Sequence, residues 1–130
     1  SPLYPAADHY KRCQVDQWMD FFSAHLGRWC NVALFERVFK KEFGMGEENE
    51  EAYTEATNFF NQQCESLNSY LQDKKYLCGS EMTIADIFAY SYLEIAETAG
   101  LPLNKYTNVN NWVKAISDQK FIAEVQKKFH

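Results

Sequence analysis

Proline and glycine are scarce in this sequence, at three and five residues among 130. So few breakers leave long stretches in which helices can run without interruption. Long apolar runs are also missing. None approaches the roughly 20 residues that cross a bilayer, and no basic-then-apolar leader opens the chain. These absences point to a soluble, cytoplasmic protein with no membrane-spanning segment. Positive charge is short as well. Thirteen lysines and arginines against 18 acids leave a net charge of −5, so there is no electrostatic footprint for nucleic acid or an anionic membrane. The pairs "KK" at 40–41 and 127–128 are short and read as solvated faces. Cys13, Cys30, Cys64 and Cys78 form no C-x-x-C pair and suggest no disulfide framework, so they read as reduced thiols, most of them packed as small apolar groups. His9 and Cys13 share a helix face at i, i+4, but nothing supplies a third and fourth ligand, and no metal is expected.

What is present is apolar: 46% hydrophobic residues and 16% aromatics. That is enough for one domain with a real core and without disulfides or a structural metal. "SPLYP" reads as an extended arm, because proline disfavours helix in the residue before it. From Asp8 to Phe43 there is no proline and one glycine. Val15, Trp18, Met19, Phe22, Leu26, Trp29 and Ala33 fall on one helical face, predicting a long helix bent near Gly27. Phe21, Val32, Phe35 and Phe39 widen that surface, so the helix must touch two different things. "GMGEENEE" ends it and places acids at the start of the next helix. That next helix carries Tyr53, Ala56, Phe60, Cys64, Leu67 and Leu71 at helical spacing.

"IADIFAYSYLEIAETA" is apolar on nearly every side in its first three turns, which fits a helix buried mid-domain. Its start is marked twice. Thr83 and Asp86 have the spacing of a capping box, and Met82 and Ile87 that of a hydrophobic staple. Asp86 therefore reads as the beginning of a helix rather than as a catalytic acid. Its replacement by alanine should cost on the order of 1–2 kcal/mol, with Thr83→Ala similar. "TNVNNWVKAISDQKFIAEVQKKF" predicts two short helices. Thr107 or Asn108 caps the first and Ser117 or Asp118 the second; Val109, Trp112 and Ile116, then Phe121, Val125 and Phe129, form their buried faces. No segment alternates as a strand. The fold class is all-α, a bundle of five to six helices.

Catalytic constellations are absent: no G-x-S-x-G elbow, Walker loop, G-x-G-x-x-G or H-E-x-x-H. Asp16 and Asp20, at i, i+4, lie on the polar side of the first helix. The better candidate for binding is a row on that helix, where Arg28, Asn31 and Phe35 line up with His25 nearby. A cation, an amide and an aromatic beside an apolar surface suit a ligand cleft, or else a protein interface or a partly solvated flank.

In order along the chain, "LYPAADHYKRCQVDQWMDFFSAHLGRWCNVALFERVFKKEFGMG", "LNSYLQDKKYLCGSEMTIADI" and "KYTNVNNWVKAISDQKFIAEVQ" resemble the second domain of cytosolic glutathione transferases, of theta-like, phi-like or related bacterial type. The resemblance covers nearly the whole chain. It implies that residues 1–130 form one all-helical domain whose first seven residues correspond to an interdomain linker. In the family this domain follows a thioredoxin-like domain, absent from this chain, that binds the co-substrate glutathione and stabilises its thiolate. The helical half supplies an apolar wall for the second, electrophilic substrate and part of a dimer interface. Arg28, Asn31 and Phe35 match the neighbourhood of that wall, with His25 beside them, whereas Thr83 and Asp86 match a folding signature and no catalytic role is carried over to them. No cofactor is implied for this chain, and no transferase activity is expected of it alone. The implied partners are a thioredoxin-like domain of the same parent chain, a second copy and a hydrophobic electrophile. Related helical domains also act as non-enzymatic assembly modules in translation elongation and multi-synthetase complexes, which is the alternative reading.

Overall fold

The computed structural model describes residues 2–129, so Ser1 of the arm lies outside the described residues. The long first helix begins where Asp8 accepts a hydrogen bond from Lys11 N at 3.1 Å. It is one continuous rod built of α1 (His9–Phe21), a π turn (Phe22–Leu26), α2 (Gly27–Leu34), a second π turn (Phe35–Phe39) and α3 (Lys40–Glu42). At each π turn one amide reaches five residues back: Gly27 N to the Phe22 carbonyl, and Lys40 N to that of Phe35. The extra residue rotates everything beyond it by about 100° relative to an uninterrupted α-helix. The first turn brings Cys30, in place of the expected Trp29, into the buried row Val15, Phe22, Leu26, Cys30 and Ala33. Trp29 stands to the side, stacked 4.5 Å from Phe59.

Beyond Phe43 the chain turns through Gly44 at φ 62°, a left-handed position that glycine adopts without strain. Asn49 then caps α4 (Glu50–Tyr70), accepting from Ala52 N at 3.1 Å, with Glu50 and Glu51 in the positive first turn. The second π turn grips this junction with two neighbouring side chains. Glu36 is buried, pairs with Lys40 at 2.7 Å and accepts from Asn49 N at 2.9 Å. Arg37 pairs with Glu48 at 2.6 Å and lies 3.7 Å over the Tyr53 ring.

The rod packs against both α4 and α5 (Ile84–Thr98), and α6 (Thr107–Ser117) bridges α4 and α5. Phe22, Leu26, Phe60, Leu67, Leu93 and Ile116 are fully buried between them. Together with α7 (Lys120–Phe129), the described residues form five helical bodies and no strand, the all-α bundle expected. The amino-terminal arm is not extended: tight turns at Ala6 and Asp8 fold it back, and the Leu3 carbonyl accepts from Ile84 N at 2.9 Å. That bond satisfies one of the first amides of α5 from outside the helix.

The ends of α6 and α7 differ from expectation. No side chain of its own caps α6; Asn68 of α4 does, its Oδ1 accepting from Asn108 N at 2.9 Å and Val109 N at 3.1 Å. Ser117 Oγ donates to the Lys114 carbonyl, and the first turn of α7 is taken up by the Gln119 carbonyl, which accepts from Ala123 N. The expected face of α7 is a correction. Phe121, Val125 and Phe129 are 40%, 53% and 71% exposed, and Ile122 is the buried residue. The helix is turned by one residue because Gln126, four positions after Ile122, places its amide on two polar atoms of α5. It donates to Tyr90 OH at 2.5 Å and to Glu94 Oε1 at 2.8 Å.

The thiols divide by burial. Cys30 and Cys64 are fully buried and Cys13 is exposed. Burial pushes the Cys30 thiol up to about 12 and Cys64 also upward. A thiol reagent added to the folded chain should therefore modify Cys13 promptly and reach Cys30 and Cys64 only on unfolding. Mass mapping after a short pulse checks this; early label on Cys30 would mean the rod does not close over it.

Candidate functional site

The start of α5 is held by Asp86, which has no exposed surface. Both arms of the capping box close, with Asp86 Oδ2 accepting from Thr83 N at 2.9 Å. Met82 and Ile87, expected to form a staple, are each partly buried against the core. Asp86 Oδ1 also accepts from Leu77 N at 2.9 Å and from Trp112 Nε1 at 2.8 Å. One carboxylate therefore ties together the loop before α5, the start of α5 and the middle of α6. Burial pushes its pKa up, against the pull of the Leu77, Thr83 and Trp112 donors. With its oxygens occupied from inside, Asp86 presents nothing to a substrate.

With α5 so placed, the second half of the rod lies beside it across an open groove of about 610 Å³. Leu34, Val38 and Phe39 of the rod and Ile95 of α5 give the groove its apolar surface; Ser91 and Thr98 add hydroxyls, and Glu42, Glu94 and Glu97 add carboxylates. Phe39 is 40% exposed and meets Phe43 edge-on at 5.6 Å, which extends the aromatic surface to the end of the rod. Glu94 is held in place: Tyr90 OH donates to its Oε1 at 2.9 Å, and Gln126 to the same oxygen.

Burial, followed by the neighbouring Glu94, pushes the Tyr90 hydroxyl up to about 12. Because the folded value lies above the ordinary tyrosine value of about 10, the contribution of Tyr90 to stability is complete below that pH. It is lost as pH rises towards 12. Tyr90→Phe should therefore flatten the fall in stability over that window, read as urea midpoints against pH. An unchanged slope would remove Tyr90 from the network.

The row singled out in the sequence, His25, Arg28, Asn31 and Phe35, lies on the rod and is exposed along its length. The His25 ring lies 6.1 Å from Phe21, and the Arg28 guanidinium lies 5.0 Å from the Trp29 ring. Phe35 receives Lys40 Nζ at 5.5 Å from its ring and precedes Phe39 of the groove by four residues. The groove residues Leu34, Val38, Ser91, Glu94 and Ile95 were not singled out from the sequence. The signal was the i, i+4 step of Leu34 and Val38 on the rod and of Ser91 and Ile95 on α5, meaningful only once the two helices are known to be neighbours. A second cleft of about 400 Å³, with Trp18, Phe21, Leu67 and Tyr70 in its lining, separates α1 from the end of α4. His9, weighed as a ligand with Cys13, has its ring nitrogen 3.1 Å from Arg12. Asp16 accepts from Tyr4 OH at 3.2 Å and is exposed, as is Asp20.

A rod set beside a buried, capping-box helix, with three more helices closing the bundle, is the architecture of a helical second domain of transferases. Residues 30–120 match the family model described as "Glutathione S-transferase, C-terminal domain", and the chain belongs to that family. It is 29% identical to glutathione S-transferase D7 of Drosophila melanogaster over 114 residues, 88% of this chain and 47% of that protein. Glutathione S-transferase I from maize, solved with an atrazine glutathione conjugate, superposes with a TM-score of 0.86 at 19% identity, over 95% of this chain and 58% of that one. A glutathione S-transferase from Pseudomonas fluorescens gives 0.80 at 26% identity, over 92% and 58%. The chain thus spans about half to three-fifths of the length of these relatives. Among the described residues no helix is long and apolar enough to cross a membrane.

Proposed function

We propose that this chain is the electrophile-binding half of a glutathione transferase and that it does not conjugate glutathione by itself. The observation that carries the reading is the open apolar groove between the rod and α5, continued by the exposed rings of Phe35, Phe39 and Phe43. A monomeric domain gains nothing by leaving such a surface to water, and an apolar ligand or a covering domain gains by burying it. The groove offers shape and apolar contact, and its hydroxyls, Ser91 and Thr98, already donate to the Phe88 and Glu94 carbonyls rather than to a thiolate. Conjugation needs a thiolate, and holding glutathione as one requires donors near its sulfur. In this reading a thioredoxin-like domain supplies those donors and binds glutathione, the co-substrate, in the cytoplasm. His25, Arg28 and Asn31 form the polar margin of the electrophile wall and Phe35 its aromatic edge, and a second copy of the protein shares the remaining apolar surface as a homodimer. Nothing in the geometry favours the assembly-module reading over this one.

The test is binding of a neutral aryl electrophile, followed by chemical-shift changes in the 130-residue chain. Shifts should centre on Leu34, Val38 and Ile95. Val38→Asp, which puts a charge on the apolar floor at a half-buried position, should weaken binding about tenfold or more while the chain stays folded. Shifts confined to the cleft at Trp18 and Tyr70 would move the ligand site off the groove.

A further inference from the structure

The charge around the groove is one-sided. Glu42, Glu94 and Glu97 line it, and no lysine, arginine or histidine does. The rod's nearby cations are engaged elsewhere. Lys40 pairs with Glu36 at 2.7 Å, and Arg37 pairs with Glu48 at 2.6 Å, while Lys41 is exposed and outside the lining. Glu94 is the most constrained of the three carboxylates. It is half-buried, and both hydrogen bonds it accepts, from Tyr90 and from Gln126 on α7, fall on Oε1. Oε2 has no bond among the described residues, so the fixed carboxylate keeps one oxygen for a ligand.

Resting on the electrophile-wall reading, we propose that this groove selects aromatic ligands carrying a positive charge and discriminates against anionic ones. Leu34, Val38 and Ile95 take the apolar body, and the Phe39 ring adds a face on which a cation can rest. Glu94 Oε2, supported by Glu42 and Glu97 at the rim, meets the charge. Partial desolvation strengthens the attraction beyond that of a fully exposed carboxylate, and the same field repels an anion. Gln126 is a positioning residue: it acts by fixing the orientation of Glu94.

Three probes of one size separate the contributions: naphthylmethylammonium, naphthylmethanol and naphthalenesulfonate, each titrated into the 130-residue chain at low salt. The ammonium should bind about tenfold or more tightly than the sulfonate, with the neutral alcohol between them. Raising the salt should shrink the gap, because the rim is open to solvent. In Glu94→Gln combined with Glu97→Gln, the ammonium and sulfonate should fall within about twofold of one another, with the alcohol changing far less than the ammonium and the fold intact by circular dichroism. Gln126→Ala should lower ammonium affinity and leave alcohol affinity alone. If the alcohol binds in the groove but the charged probes bind equally, or keep their gap in the double variant, the charge selection is wrong and the wall reading survives. If no probe binds, both are wrong.

Discussion

Asp86→Ala is expected to lower the unfolding free energy by about 3–5 kcal/mol, well beyond the loss of a helix cap. The reason is the number of donors left behind. Thr83 N, Leu77 N and Trp112 Nε1 all donate to this one buried carboxylate at 2.8–2.9 Å. Alanine leaves all three without an acceptor where water does not reach, each at a cost of about 1–3 kcal/mol, partly offset by no longer burying a charge. Asp86→Asn separates the two roles. Oδ1 can still accept from Leu77 and Trp112, while the amide nitrogen presents a donor to the donor Thr83 N. Its cost should be about 1–2 kcal/mol, that of the box alone. Thr83→Ala should fall in the same range. Equal losses for alanine and asparagine at position 86 would mean that the bridge to α6 contributes nothing.

Gly27→Ala is the second large effect, and its sign is opposite to the general rule. In an ordinary helix interior the change gains about 1 kcal/mol. Here an added Cβ would come 2.0 Å from the Phe22 carbonyl oxygen and 2.6 Å from the Tyr92 ring. The first contact follows from the π turn, which aims that carbonyl at residue 27; the second from the close approach of α5. We expect a loss of about 1–3 kcal/mol for alanine and more for leucine. Tyr92→Ala removes only the ring contact, so the double variant should recover part of the loss. Full recovery would mean that the π-turn carbonyl is free to move. Pushing the rod away from α5 also widens the groove, so Gly27→Ala should weaken the binding of a neutral aryl ligand along with the fold.

These two sites mark how far the sequence could be read. The capping box was legible because Thr83 and Asp86 lie within one turn. The bond from Trp112 to Asp86 joins residues 26 apart in sequence, and no local pattern announces it. Gly27 marked where the rod departs from a regular α-helix. The π turn itself was not legible, since a hydrogen bond shifted by one residue leaves the composition unchanged. On α7 the apolar triad Phe121, Val125 and Phe129 outranked Ile122 by hydrophobicity. A polar residue, Gln126, decided the rotation, because two polar atoms on α5 needed its amide. The Asn68 cap of α6 is remote in the same way. For the site, the exposed row from His25 to Phe35 could be seen on one helix. The groove needs two helices at once, so its residues had no signature until α5 was set against the rod.

A chain that offers a surface to the electrophile and leaves thiol activation to another domain should conjugate glutathione to a neutral aryl halide no faster than the reaction runs in water. With the purified 130-residue chain, at ligand concentrations where groove binding is already established, the expected rate is that of the uncatalysed reaction. Saturable turnover well above that rate, abolished together with groove binding in Val38→Asp, would contradict it.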